Sequence, residues 1–484
     1  MFSDIKLNKK TPVYIQIKDY IKSMILKGML RKDEKLPSTR EFSSLLNVSR
    51  NTIVCAYESL RDEGFIYTKR GKGAFAADVQ INHQSKWNVD WTKRINSYTR
   101  NAEKLDIVKH EAKWKKGMIS FKSIAPDESL FEVEEFKKAF LNRISIEGEK
   151  ILNYGYAKGY KPLIEYLLKY MENKGVNVEN KDILITNGFT EGFDIILSSI
   201  LNEGDKILCE NPTHNTAIKI MKLHNLDIEG VKLDDDGVNL EDLKDKLSNN
   251  DFKIAYLIPS YHNPTGIVMS ADKRIKVYNL LKKYQVPIVE DGFNEELRYM
   301  GSHIAPIAAL SNDGNSVLYA GSLSKILFPG IRIGWILADA ELISYLESVK
   351  RSRNIHTSFL DQAVLYEYLE SGNFEKYIRK ARKVYREKYE FTIKCASKYI
   401  PGAKVFGEGG LHIFIKLDNI NARNVLDICY KRGVIFTPGD IFYTDGSGSD
   451  TFRLGFSRLN IQQIGSGLKI IGDVIKSLSH KRNA

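Results

Sequence analysis

Val317-Leu318-Tyr319-Ala320-Gly321-Ser322-Leu323-Ser324-Lys325, followed after three residues by Pro329-Gly330-Ile331-Arg332-Ile333-Gly334, is the stretch on which the architecture turns. An apolar run of strand length ends in small and hydroxyl residues that deliver a lysine. A glycine-containing turn then presents an arginine. Short apolar runs bounded by turn residues read as buried strands. The pattern recurs at Ile183-Leu184-Ile185, Ile207-Leu208-Cys209, Ala255-Tyr256-Leu257-Ile258 and Ile288-Val289, always alternating with helical segments. This alternation predicts an α/β domain over residues 119–484, a largely parallel sheet covered by helices on both faces.

Open sheets of this kind bind ligands beyond the carboxyl ends of their strands, so the residues just after each run carry the chemistry. Asn187-Gly188-Phe189-Thr190 opens a helix, and glycine with free N–H groups at a helix start forms an anion site. Asn211-Pro212-Thr213-His214, Ser260-Tyr261-His262-Asn263-Pro264-Thr265-Gly266 and Glu290-Asp291 follow the next three runs. Five strand ends thus supply a lysine, a carboxylate, an amide, an anion nest, hydroxyls and an arginine. Pyridoxal phosphate chemistry asks for that set: an amine for the aldehyde, a carboxylate for the pyridinium nitrogen and a phosphate cradle. Each element alone is more often structural; their order is what signifies.

The first quarter of the chain reads differently. The net charge is +12, yet residues 1–76 hold 15 Lys/Arg against 8 Asp/Glu and residues 79–118 hold 9 against 4, which leaves the remainder nearly neutral. A basic region of this kind is the footprint of a polyanion, nucleic acid before membrane. From Thr11 to Gly28 apolar residues recur at helical spacing, with Pro12 suited to the first turn. Ser38 and Glu41 have capping-box spacing for a second helix to about Leu46. Ser49 can cap a third, Arg50 to Glu63. Two short apolar strands then flank Lys69-Arg70-Gly71-Lys72-Gly73. Helix, turn, helix and basic hairpin predict a winged helix-turn-helix whose third helix enters the major groove. Arg50, Asn51 and Thr52 occupy its leading end, where Arg can read guanine and Asn adenine. Arg40, Arg70 and Lys72 are placed for phosphates.

Leu36-Pro37-Ser38-Thr39-Arg40, Val48-Ser49-Arg50-Asn51-Thr52 and Gly64-Phe65-Ile66 with Gly71-x-Gly73 resemble the DNA-binding domain of the GntR family of bacterial regulators. Residues 119–484 resemble the fold-type I aminotransferases, and the whole chain resembles the MocR (GabR-like) subfamily. The resemblance implies a winged helix-turn-helix over 1–78 and a pyridoxal phosphate-dependent transferase fold over 119–484; between them, the weak periodicity and many Lys/Arg of residues 79–118 predict a basic linker with a helix around Thr92–Lys109. That fold comprises a large domain with a mostly parallel sheet and a smaller α+β domain. It also implies that Ser38 and Ser49 join Arg40, Arg50, Asn51, Thr52, Arg70 and Lys72 at DNA. Lys325 would join the cofactor aldehyde, Asp291 would pair with the ring nitrogen, and Asn263 would bond the ring oxygen. Gly188, Phe189, Thr190, Ser322, Ser324 and Arg332 would hold the phosphate. Arg453 would clamp a ligand carboxylate bidentately, and Tyr154 would reach the partner subunit's phosphate in a homodimer.

Three positions depart from the family. His214 stands where an aromatic ring usually stacks on the cofactor, and its charge is expected to be pH-sensitive near neutrality. Phe293 replaces a tyrosine whose hydroxyl touches the ring oxygen, leaving Tyr261 as the candidate substitute. Asn263 in Asn-Pro-Thr-Gly is more typical of the enzymes. A regulator that senses pyridoxal phosphate or an amino compound, a working aminotransferase with a DNA-binding head, and a repressor with a disused domain are all compatible with the pattern; retention of Lys325, Asp291, Arg332 and Arg453 argues against the last.

Hydrophobic residues at 43% and aromatics at 11% exclude a mostly disordered chain. The four cysteines lie far apart with no C-x-x-C, which excludes a disulfide scaffold and a cysteine-cluster metal site. No stretch reaches the ~20 apolar residues of a membrane helix, and no secretory signal opens the chain. The expectation is a cytoplasmic protein without a metal.

Overall fold

The structure, a computed structural model, describes residues 2, 5, 7, 8, 10–79, 88–292, 294–299 and 301–480. The chain divides into two compact units, residues 1–95 and 96–484.

In the first unit, helices Val13–Leu26, Thr39–Leu46 and Arg50–Asp62 are followed by antiparallel strands Ile66–Lys69 and Gly73–Ala76. The first helix turns Ile17, Ile21, Met24 and Ile25 inward, as the spacing predicts, with Pro12 one position ahead of it as the N-cap residue. Both arms of the capping box are made: Glu41 N–H donates to Ser38 Oγ at 3.2 Å, and Ser38 N–H donates to Glu41 Oε2 at 2.8 Å. Asn47, in the left-handed region at φ 51°, closes that helix and sends the chain to Ser49, which caps the third through Thr52 N–H. Tyr57 ties the third helix back by donating to Pro37 O at 2.8 Å. Phe42, Ile53, Ala56 and Leu60 are wholly buried between the helices.

Residues 80–87 of the expected linker lie outside the described residues. Beyond them stand a short 3₁₀ turn, Trp91–Lys93, and two helices, Ser97–Lys104 and Ile107–His110, where one helix around Thr92–Lys109 was expected. The Asn96 side chain accepts from Thr99 N–H and so starts the first helix at Ser97. That helix belongs to the second unit and packs against helix Asn215–Leu223.

The large sheet of the second unit runs Lys181–Thr186, Gly334–Asp339, Val317–Ser322, Ile288–Asp291, Ile254–Leu257, Lys206–Asn211, Asp227–Asp234 and Gly237–Val238. Five of these contain the predicted runs. The strands from Val317–Ser322 to Asp227–Asp234 are parallel, whereas Gly334–Asp339 is antiparallel to both its neighbours. Alternate residues feed two cores. Ile183, Ile185, Leu208, Ala255, Leu257 and Ile288 face one; Leu184, Ile207, Cys209, Ile254, Tyr256 and Val289 face the other. Continuous apolar runs are what two-sided burial requires. Helix Asn373–Tyr399 leads to a smaller α+β region, whose antiparallel sheet runs Lys404–Phe406, His412–Lys416, Thr451–Gly455 and Thr437–Pro438.

Phe42 is wholly buried in a small core, against the rings of Phe2 and Tyr57, so its loss should be costly. Phe42→Ala is expected to remove about 3–5 kcal/mol from urea unfolding of the amino-terminal unit, with the transition of the second unit unmoved.

Candidate functional site

Strand Val317–Ser322 ends at Ser322, whose Oγ accepts from Ser324 N–H at 3.3 Å; Lys325 follows on the same turn. Strand Ile288–Asp291 ends on Asp291, and strand Lys181–Thr186 leads through Asn187 to Gly188, the N-cap position of helix Phe189–Ile200. These ends meet around one cavity of about 180 Å³ lined by Phe189, Thr190, His214, Asp291, Ser322, Ser324, Lys325 and Arg332, together with Thr216, Gly292, Asn294 and Pro329. Eight of the residues expected to bind a cofactor therefore share a wall, although they span more than a hundred positions of sequence.

Gly188 is required by geometry. Its φ is +82°, and a Cβ there would lie 2.7 Å from Arg332 Nη2. Arg332, itself at φ 53°, donates from that nitrogen to Asn187 O at 2.7 Å. The guanidinium is thereby locked beside the start of helix Phe189–Ile200, which has no side-chain cap. Free N–H groups, the positive end of the helix and an arginine together make an anion cradle.

Burial and charge set the ionisation of the other groups. Burial raises the Asp291 carboxyl to about 7; Tyr256 opposes this by donating to Asp291 Oδ2 at 2.7 Å, while Glu210, Glu290 and Glu295 add to it. Burial, followed by the positive charges of Arg453, Arg332 and Arg458, lowers the Lys325 amine to about 8. An amine near 8 has a substantial neutral fraction at neutral pH, the form that attacks a carbonyl. His214 differs from its expected behaviour. Part of the ring reaches solvent, yet desolvation and the neighbouring Lys325, Arg453 and His262 push it to about 3. The ring is neutral across the physiological range and does not switch there. It lies 5.5 Å from the Phe189 ring at a 43° tilt, as an aromatic wall of the cavity.

Arg453 sits on strand Thr451–Gly455 of the smaller sheet, buried against the Phe442 ring at 4.9 Å. Its Nη1 donates to Asn263 Oδ1 at 2.7 Å, while its Nε has no partner. Asn263, 1% exposed, keeps an unpaired Nδ2. Tyr154 is far from enclosed: it is 78% exposed and makes an edge contact with His356. In the first unit, Arg50 and Asn51 are exposed at the start of the third helix, and Arg70 and Lys72 at the tip of the hairpin. The Ser38 and Ser49 hydroxyls are engaged as helix caps, and Thr52 Oγ1 lies 2.8 Å from Ser49 Oγ.

Phe293, expected to remove a hydrogen bond from the site, lies outside the described residues. Tyr261 does not take its place: its ring lines a separate cavity with Arg274, Arg298 and Tyr389 and packs beside Gly409. Sequence reasoning missed Tyr256, a lone hydroxyl within an apolar strand, and Asn294, three residues beyond Asp291.

The cavity fits pyridoxal phosphate. Of its lining, Ser324 Oγ and both polar atoms of Asn294 are buried without partners, and native interiors leave few such atoms; Asn263, whose Nδ2 is also unpartnered, is not part of that lining. Asp291 would hold the ring nitrogen, Lys325 the aldehyde carbon, and Arg332 with the helix start the phosphate. Bound there, the cofactor supplies an electron sink for amino compounds. Among the described residues no cluster is suited to a metal, and no helix is long and apolar enough to cross a membrane.

Residues 121–471 match the family of aminotransferases of class I and II, and residues 13–76 match the gntR family of bacterial regulatory proteins. The chain is 32% identical over 74% of its length to aromatic-amino-acid aminotransferase 1 of Thermococcus litoralis, covering 88% of that protein. It is 27% identical over 99% of its length to the uncharacterized HTH-type transcriptional regulator YdfD of Bacillus subtilis, covering all of it. Among solved structures, the multiple substrate aminotransferase of Thermococcus profundus superposes with a TM-score of 0.75 at 29% identity, over 81% of this chain and 100% of that one. The α-aminoadipate aminotransferase LysN of Thermus thermophilus, complexed with N-(5'-phosphopyridoxyl)-L-leucine, gives 0.74 at 27% identity over 81% of this chain and 100% of its own. With Lys325, Asp291 and Arg332 around one cavity and a GntR match ahead of it in sequence, the chain belongs to the class I and II aminotransferase family, in the MocR-type branch that carries a GntR head.

Proposed function

We propose that this protein is a DNA-binding transcription regulator whose aminotransferase-like unit binds pyridoxal phosphate and a small amino compound bearing a carboxylate, with occupancy setting promoter affinity. The observation that carries this reading is the joining, in one chain, of a cofactor-shaped cavity around Lys325, Asp291 and Arg332 to a recognition helix with Arg50 and Asn51 exposed. A ligand that changes affinity for DNA must bind the two states unequally, and DNA must change affinity for that ligand by the same factor. Arg453, with an unpaired Nε, is the carboxylate clamp.

The reading includes a cytoplasmic homodimer. Leu141, Ile146, Leu152, Tyr154 and Tyr156 are all more than half exposed, which supports a partner surface around the strap that carries Tyr154. A second reading, turnover as an aminotransferase, is favoured by the lowered Lys325 amine, which suits proton transfer as well as carbonyl attack. The two readings are separated by titrating promoter-bound protein with pyridoxal phosphate and a panel of amino acids while following DNA affinity and product together. Regulation without turnover gives a change in affinity and no keto acid.

Capture of pyridoxal phosphate by cofactor-free protein is expected to quicken with rising pH, half-maximal at about 8, where Lys325 loses its proton, and to level off above it. Removing a positive neighbour favours the charged amine, so Arg453→Met should move that midpoint upward; stopped-flow absorbance reads both. Borohydride should fix the cofactor on Lys325 and fix none on Lys325→Ala. In the head, Arg50→Ala should weaken operator binding by about 10- to 100-fold, the scale of one bidentate base contact, and leave the cofactor absorption unchanged. Equal operator affinity in a gel-shift titration would remove Arg50 from base reading.

A further inference from the structure

A cavity of about 440 Å³ in the second unit shares no lining residue with the one around Lys325. Its size is ordinary for a small-molecule site. It lies on the seam between the large domain and the smaller α+β region, with Tyr261, Val268 and Arg298 on one side and Tyr389 and Glu408 on the other. Val268 N–H donates to Glu408 Oε1 at 2.9 Å, Glu408 N–H donates to Gly266 O at 3.0 Å, and the Tyr389 hydroxyl donates to Gly407 O at 2.8 Å. The seam is therefore tied on both sides of the cavity.

Most charged groups of the lining are already engaged. Arg274, 2% exposed, donates to Met269 O, Ala305 O, Pro259 O and Ser260 Oγ. Glu295 accepts from Lys174 and from the Tyr319 hydroxyl. Arg298 differs. It is half-buried, and among the described residues it makes no ion pair. Arg382 stands behind the wall without lining it. Its Nε donates to Glu296 O at 2.6 Å, and its cation is opposed first by burial and then by the charge of Arg298. Two guanidinium groups thus repel each other beside one recess. Tyr261 feels both: burial raises its hydroxyl to about 12, and Arg298 and Arg382 pull it the other way. That hydroxyl bonds no other described residue.

Such repulsion is relieved by an anion. A guanidinium fork matches two oxygens of a phosphate or a carboxylate, but a phosphate monoester carries close to two negative charges at neutral pH, enough to answer both arginines. A further phosphate oxygen accepts from the Tyr261 hydroxyl, and the Tyr261 and Tyr389 rings offer apolar surface to the organic part. We propose that this cavity is a second small-molecule site, which takes a phosphate monoester on Arg298 and Tyr261 with the charge of Arg382 behind them. The proposal goes beyond the regulator reading and stands whether or not the other cavity holds a cofactor.

The test titrates phenyl phosphate by calorimetry into the full chain, once cofactor-free and once saturated with pyridoxal phosphate so that the cradle at Arg332 is filled. The saturated protein is expected to bind one phenyl phosphate per chain, and benzoate, with a single charge, more weakly. Arg298→Gln should weaken the binding of phenyl phosphate about 10- to 100-fold, and Tyr261→Phe, which removes one hydroxyl, about tenfold, the scale of hydrogen bonds to charged groups. The absence of saturable heat at millimolar phenyl phosphate overturns the proposal, and so does binding that both variants leave intact. Binding that vanishes once pyridoxal phosphate is added belongs to the cradle at Arg332 and overturns it equally. The two variants decide the matter in cofactor-free protein as well, so failure of the cofactor reading would not carry this site with it.

Discussion

Two-sided burial of the large sheet is the constraint from which the site follows. The strands ending at Thr186, Asp291 and Ser322 have no polar face to trade against water, so their register is fixed by packing into the two cores. Where they stop, the chain must leave the sheet on one rim, and residues separate in sequence are delivered to one place. The antiparallel strand Gly334–Asp339 serves the same end. It inserts between Lys181–Thr186 and Val317–Ser322, and brings the turn bearing Arg332 back against Gly188.

That delivery concentrates charge in a desolvated space. The charges of Arg453, Arg332 and Arg458 act on Lys325, and Asp291 is the single carboxylate of the cavity lining. Burial alone pushes Asp291 and Lys325 toward their neutral forms, and the excess of cations pushes Lys325 further. Such a site is electrostatically incomplete. Under the proposed function, a cofactor with a basic ring nitrogen against Asp291 and an anion against Arg332 would return such groups to charged, paired states.

How much of this the sequence disclosed follows from which interactions are local. The capping box at Ser38 and Glu41, the turn at Asn47 and the third helix are set by neighbours within a few residues, and they read correctly. So did five strands of the large sheet, whose apolar runs have no other stable use. The break between Ser97–Lys104 and Ile107–His110 was hidden because weak periodicity carries no boundary, and the Asn96 cap that sets it is a common loop residue. Within the site, Lys325, Asp291 and Arg332 were legible from strand ends. The state of His214 was not. Burial in the folded chain does most to strip its proton, and Lys325, Arg453 and His262, far away in sequence, add to that. Tyr261 was misplaced for a related reason: spacing along a loop does not say which of two cavities a side chain will face.

How the smaller sheet is held bears on the proposed link between cofactor and promoter. Arg453 reaches the large domain through Asn263, and it touches the backbone of Lys122 through a longer contact of 3.5 Å. Lys122 in turn pairs at 3.0 Å with Glu111, on the segment that leads back toward the head. Glu111 also attracts Arg453, and its second carboxylate oxygen is buried without a partner. A ligand carboxylate arriving at Arg453 competes with that attraction in a space where charges are poorly screened. Arg453 and the segment that precedes the domain are therefore linked through Lys122 and Glu111, and under the proposed function a ligand at that arginine would alter the energy of the segment.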